Sequence, residues 1–120
     1  MKDLLNKVKE FNKAFEIGYN DKPTFSINDF DLRFNLMQEE NEEYLVATNL
    51  EEVADALGDQ LYILLGTILK HGLQDKIEEV FNEIHESNMS KLENGKPLHR
   101  EDGKILKGSN YFKPNLKKLF

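Results

Sequence analysis

The sequence contains no cysteine. That excludes a disulfide framework, a thiol nucleophile and any cysteine-based zinc site, and it fits a reducing compartment. No stretch approaches the roughly 18 consecutive apolar residues of a membrane-spanning helix. The opening segment, MKDLLNKVKEF, is too charged for a secretory signal. These absences predict a cytoplasmic protein with no membrane partner. Repeats and low-complexity segments are missing too, so the 120 residues are expected to form a single domain, 1–120, with one core.

Basic charge is also scarce over most of the chain. Residues 1–88 carry 19 acidic and 8 basic side chains, whereas residues 89–120 carry 3 acidic and 8 basic ones. An overall charge of −6 argues against nucleic acid as a partner. An acidic body with a basic tail suits a ligand that brings both cations and phosphates, although a tail that merely neutralises the body is the simpler account.

Hydrophobic spacing predicts an all-α fold of four helices. Leu4, Val8, Phe11 and Phe15 recur at helical intervals in a first helix over residues 2–17, ended by Gly18. Residues 19–28, with Lys22-Pro23, form a loop. Asp29 or Asp31 caps a second helix that runs to about Ala47, with Leu32, Leu36 and Ala47 on its apolar stripe. Thr48-Asn49 interrupts the chain, and a capping box of Thr48 with Glu51 or Asn49 with Glu52 opens a third helix, which reaches His71 with Gly72 as its stop. Apolar nearly all round from Gln60 to Leu69, this helix should be the buried central one. Asp75 with Glu78 opens a fourth helix through Ile77, Val80, Phe81, Ile84 and Asn88. Beyond Met89 the turn signals Glu93-Asn94-Gly95 and Glu101-Asp102-Gly103 mark a loop-rich tail with a small hairpin, and Pro114 starts a last short helix.

Eight carboxylates fall between Glu39 and Asp59, immediately before one of the most apolar segments of the chain. At about 100° per residue, Leu32, Leu36, Glu39, Glu40, Glu43 and Ala47 share one face of the second helix, while Glu42 points away. Glu52, Asp55, Asp59, Ile63 and Gly66 share one stripe of the third. Two helices joined by so short a turn pack antiparallel, which brings six carboxylates on apolar stripes together. Such groups must be protonated, paired with Lys or Arg, or bound to metal. The only basic residues on these helices, Arg33 and Lys70, lie more than one turn from Glu39 and more than two from Asp59. An oxygen-rich set suits Mg²⁺ or Mn²⁺. The competing account is a solvated acidic face, with Glu51 or Glu52 serving only as caps.

Glu40-x-x-Glu43 followed by Glu52-x-x-Asp55 resembles the ExxE…ExxD signature of the all-α nucleoside triphosphate pyrophosphohydrolases, which include the MazG proteins, the dimeric dUTPases and phosphoribosyl-ATP pyrophosphohydrolase. LRFNLMQEENEEY, EEVADALGDQLYILLGTILKHGL, VFNEIHESNMSKL and REDGKILKGSNYFKPNL extend the likeness from about Val8 to Pro114, toward the short MazG-like, phosphoribosyl-ATP pyrophosphohydrolase-like branch. The resemblance implies a four-helix-bundle-type MazG-like fold and a homodimer. It also implies Mg²⁺-dependent cleavage of a nucleoside triphosphate to monophosphate and pyrophosphate, as in clearance of dUTP, dCTP or non-canonical nucleotides. Glu40, Glu43, Glu52 and Asp55 would be metal ligands, with Glu39 a further ligand or the base that activates water. Asp59, one turn beyond Asp55, is also a candidate ligand. Only eight residues separate Glu43 from Glu52, fewer than in many relatives, which leaves less room for a substrate-covering loop.

The tail's positive charge makes Lys91, Arg100, Lys104 and Lys107 candidates for the phosphates; Asn88 is one for a phosphate or sugar, and Asn12 for the base. For any single lysine, solvated surface charge is the commoner role. Two alternatives stand beside the triphosphate reading: hydrolysis of phosphoribosyl-ATP itself, or a non-enzymatic helical dimer that binds a structural cation.

Overall fold

A computed structural model describes residues 1–120 as four α-helices: α1 Lys2–Ala14, α2 Phe30–Val46, α3 Leu50–Lys70 and α4 Ile77–Met89. There are no strands, and the only bridges are isolated ones. This is the expected all-α, MazG-like architecture. No helix is long and apolar enough to cross a membrane. The chain divides into two compact units, Met1–Asp75 and Lys76–Phe120.

In the first unit α3 packs against both α1 and α2. It contributes Ala56, Leu65, Ile68 and Leu69 to the core, and α1 contributes Leu5 and Val8. The α1 face differs from the expected stripe. Leu4, Phe11 and Phe15 are exposed, and the buried positions are Leu5, Val8 and Asn12, which also recur at helical spacing. The helix stops at Ala14 rather than residue 17, because Glu16 takes a left-handed backbone conformation (φ 57°). The amides of Ile17 and Gly18 turn back to the Asn12 carbonyl at 2.8 and 3.3 Å.

The segment between α1 and α2 is strapped to the end of α3. Asn20 and Thr24 donate backbone N–H groups to the carbonyls of Leu69 and His71, and Gln74 Nε2 donates to the Asn20 carbonyl at 2.8 Å. Gly72 makes the close approach possible. Its φ is +66°, and a Cβ there would stand 1.9 Å from the Lys22 carbonyl oxygen.

Helix α2 departs most from expectation. None of its residues is fully buried, and Leu32, expected to face the core, is 58% exposed. Its half-buried positions are Arg33, Leu36, Met37 and Glu40, one face at i, i+3, i+4 and i+7. Asp29 precedes the helix, but its side chain caps nothing. Helix α3 begins as read: Asn49 accepts the Glu52 N–H at 2.9 Å, while the Glu52 carboxylate accepts the Thr48 N–H at 2.9 Å.

The expected Asp75–Glu78 cap at the start of α4 does not form. Along α4, Phe81 and Asn88 are exposed, and Ser87 is the buried position. Ser87 Oγ donates to the Phe112 carbonyl at 2.8 Å, which fastens the tail to the helix. The turn at residues 101–103 forms, flanked by the His99–Ile105 bridge. The final helix is a single 3-10 turn, Lys117–Leu119.

Candidate metal centre

Helical periodicity assigns Glu40 and Glu43 to one face of α2, and the hairpin sets that face beside α3. One carboxylate oxygen from each of Glu40, Glu43 and Asp59 lies within 4.8 Å of the others. Glu40 and Asp59 are half-buried and Glu43 is exposed. None of the three forms an ion pair; the four salt bridges lie elsewhere. Glu40 Oε2 is buried and has no hydrogen-bond partner.

Three acceptors in so small a volume have two ways to settle. A proton can enter, or a cation can. The Glu40 carboxyl is pushed up to about 7, first by loss of solvation, then by a hydrogen bond to Glu43 and by the charges of Glu43, Asp59 and Glu39. Fully ionised, Glu40 and Glu43 can only accept, which leaves Oε2 unsatisfied; a proton on Glu40 converts their repulsion into a hydrogen bond. A divalent cation meets the same need without a proton. The unpartnered buried oxygen and the all-carboxylate donor set therefore fit a hard cation of the Mg²⁺ or Mn²⁺ class.

The remaining residues singled out in the sequence fall outside this trio. Glu39 is exposed and makes no side-chain hydrogen bond or ion pair, but its charge acts on Glu40. Asp55 is exposed and lines a separate depression with Asn49, Glu51, Glu52 and Ala54. Glu52 is occupied by the cap of α3. Of Asp55 and Asp59, the fold brings Asp59 to Glu40 and Glu43. Asn12 is buried, and its Nδ2 donates to the Gly18 carbonyl at 3.0 Å, so its amide closes the end of α1.

The other candidates lie in the second unit. Asn88, Arg100, Lys104 and Lys107 are exposed there and Lys91 is half-buried. Arg100 forms a two-point contact with Asp102, at 3.0 and 2.5 Å. Lys107 Nζ sits 4.9 Å from the Tyr111 ring centre. Lys91 and Lys104 form no salt bridge.

The sequence presents Arg33 as an ion-pair candidate for the carboxylates. Here its Nε donates to Thr67 Oγ1 at 2.9 Å and its Nη2 to the Ile63 carbonyl at 2.8 Å. The signal was its place seven residues before Glu40, on the same helix face.

No curated protein sequence matches this chain. The profile of the phosphoribosyl-ATP pyrophosphohydrolase family matches residues 8–88, a span that includes every carboxylate of the cluster. The chain therefore belongs to the phosphoribosyl-ATP pyrophosphohydrolase family, within the all-α MazG-like superfamily, and is a hydrolase of phosphoanhydride bonds.

Proposed function

We propose that the protein cleaves the bond between the α- and β-phosphates of a phosphoribosyl-ATP-like nucleotide, releasing pyrophosphate and the corresponding monophosphate. The observation that carries this reading is the convergence of Glu40, Glu43 and Asp59. The family description favours phosphoribosyl-ATP over a general nucleoside triphosphate as the substrate.

Glu40, Glu43 and Asp59 would hold the cation. When bound, a divalent cation offsets phosphate charge and makes water a better nucleophile at neutral pH. The chain's own part is to orient the three oxygens and to receive a proton. Glu39, exposed one residue from the cluster, is the carboxylate assigned to take that proton as water adds to the α-phosphorus and the bond to the β-phosphate breaks. Lys91, Lys104, Lys107, Arg100 and Asn88 are proposed substrate contacts on charge and family likeness alone, with Arg100 the weakest because Asp102 already engages it.

A homodimer is proposed as well. Leu45, Val46 and Leu50 lie at the α2–α3 turn and are 70–81% exposed, and Phe34 is exposed on α2. Apolar groups left this open invite cover by a second copy.

The deciding experiment offers phosphoribosyl-ATP and each NTP and dNTP with Mg²⁺ or Mn²⁺ and measures pyrophosphate. The highest kcat/KM should belong to phosphoribosyl-ATP. A higher value for dUTP or dCTP would move the assignment to nucleotide-pool clearance. No release from any of them would leave a cation-binding helical protein without this activity.

A further inference from the structure

What sets the register of α2 on α3 is not apolar burial. No side chain of α2 is fully buried, and its half-buried apolar ones are Leu36 and the flexible Met37. Apolar contacts are non-directional and tolerate sliding. Hydrogen bonds do not, and those between these helices come from two places. Gln60 Nε2 reaches Asn41 Oδ1 at a long 3.3 Å. The stronger set belongs to Arg33, whose Nε donates to Thr67 Oγ1 at 2.9 Å and whose Nη2 donates to the Ile63 carbonyl at 2.8 Å. Thr67 Oγ1 itself donates to that carbonyl at 3.0 Å, so the three groups form a closed ring. Gly66 admits the guanidinium: a Cβ there would meet Nη2 at 2.6 Å. The contact is charge-assisted and half-buried, where such bonds are strongest.

We propose that Arg33 is a positioning residue for the cation site, a clamp that fixes α2 against α3 so that Glu40 and Glu43 stand opposite Asp59. The proposal rests on the reading of those three carboxylates as cation ligands. The clamp lies about two helical turns from the cluster, since Arg33 precedes Glu40 by seven residues and Thr67 follows Asp59 by eight. A slip of one residue moves α2 by about 1.5 Å along its axis and turns its face by about 100°. Either displacement separates oxygens that now lie within 4.8 Å.

The test measures the Mn²⁺ dissociation constant by electron paramagnetic resonance at 10 °C, with circular dichroism to establish that each variant is folded. Arg33→Met should raise it about tenfold, the lower end of what loss of supporting contacts costs a metal site. Thr67→Val, which keeps the side chain's shape and removes the hydroxyl that accepts from Arg33 and donates to the Ile63 carbonyl, should raise it a few-fold, and Thr67→Ser should restore it. Should Arg33→Met fail to fold, the Thr67 pair decides. Folded variants that lose melting temperature but bind Mn²⁺ as wild type does would overturn the proposal, because Arg33 would then be a stabilising contact only. Wild-type protein that binds no Mn²⁺ would overturn it together with the cation reading. Wild-type protein that binds Mn²⁺ yet hydrolyses no nucleotide would strike the substrate reading alone, and the same Mn²⁺ constants would still judge Arg33.

Discussion

Glu40 on α2 and Asp59 on α3 present carboxylate oxygens within 4.8 Å of one another, with no basic side chain paired to either. Two such groups repel unless a proton or a cation stands between them. The charge state of this pair is the property from which the site's behaviour follows.

The first consequence is a stability that depends on pH in the absence of metal. The Glu40 carboxyl is raised from 4.5 to about 7 in the fold. Between those values the folded chain keeps a proton that the unfolded chain has released. Stability is therefore greatest below the unfolded value, falls as pH rises through the window, and levels off above about 7. Melting curves in EDTA from pH 4.5 to 8 should show this fall, and Glu40→Gln should remove it. Saturating Mn²⁺ at pH 8 should raise the wild-type melting temperature, since a cation there replaces the missing proton.

Glu40→Gln and Glu43→Gln should have opposite effects on stability and activity. Each removes one charge from the cluster, so the metal-free fold at pH 8 should gain stability as the mutual repulsion falls. Each also removes a proposed cation ligand, and pyrophosphate release should fall at least about a hundredfold, beyond what loss of a mere supporting contact costs. A Glu43 variant with full activity would exclude it as a ligand.

Asp59→Asn and Asp55→Asn should part company. Asp59 joins Glu40 and Glu43, while Asp55 is exposed beside the α3 cap. Mn²⁺ affinity measured by calorimetry should drop at least about tenfold for Asp59→Asn and much less for Asp55→Asn. The reverse order would move the cation one turn toward the start of α3.

Gly72→Ala should destabilise the first unit by at least about 2 kcal/mol in urea unfolding, through a left-handed backbone and a contact no Cβ tolerates. At 1.9 Å the obstacle is the Lys22 backbone carbonyl, which cannot rotate away as a side chain would. Gly58→Ala is the control, since a Cβ there meets nothing and the helix gains propensity.

Much of this protein is local in origin, and the sequence alone determined it. Apolar spacing defined four helices, Asn49 and Gly72 marked the ends of α3, and helical angles put carboxylates on one face each of α2 and α3. These features depend on residues within a few positions of one another. What only the tertiary structure decided depends on groups far apart in the chain. It replaced the stripe through Leu4, Phe11 and Phe15 by Leu5, Val8 and Asn12, turned the Asn12 amide toward closing α1, and left Leu32 open to solvent. It also chose Asp59 rather than Asp55 as the neighbour of Glu40 and Glu43. An angle around one helix follows from the sequence of that helix. The offset of one helix along another does not, because it is fixed by contacts such as Arg33 with Ile63 and Thr67, whose partners meet only once the hairpin has closed.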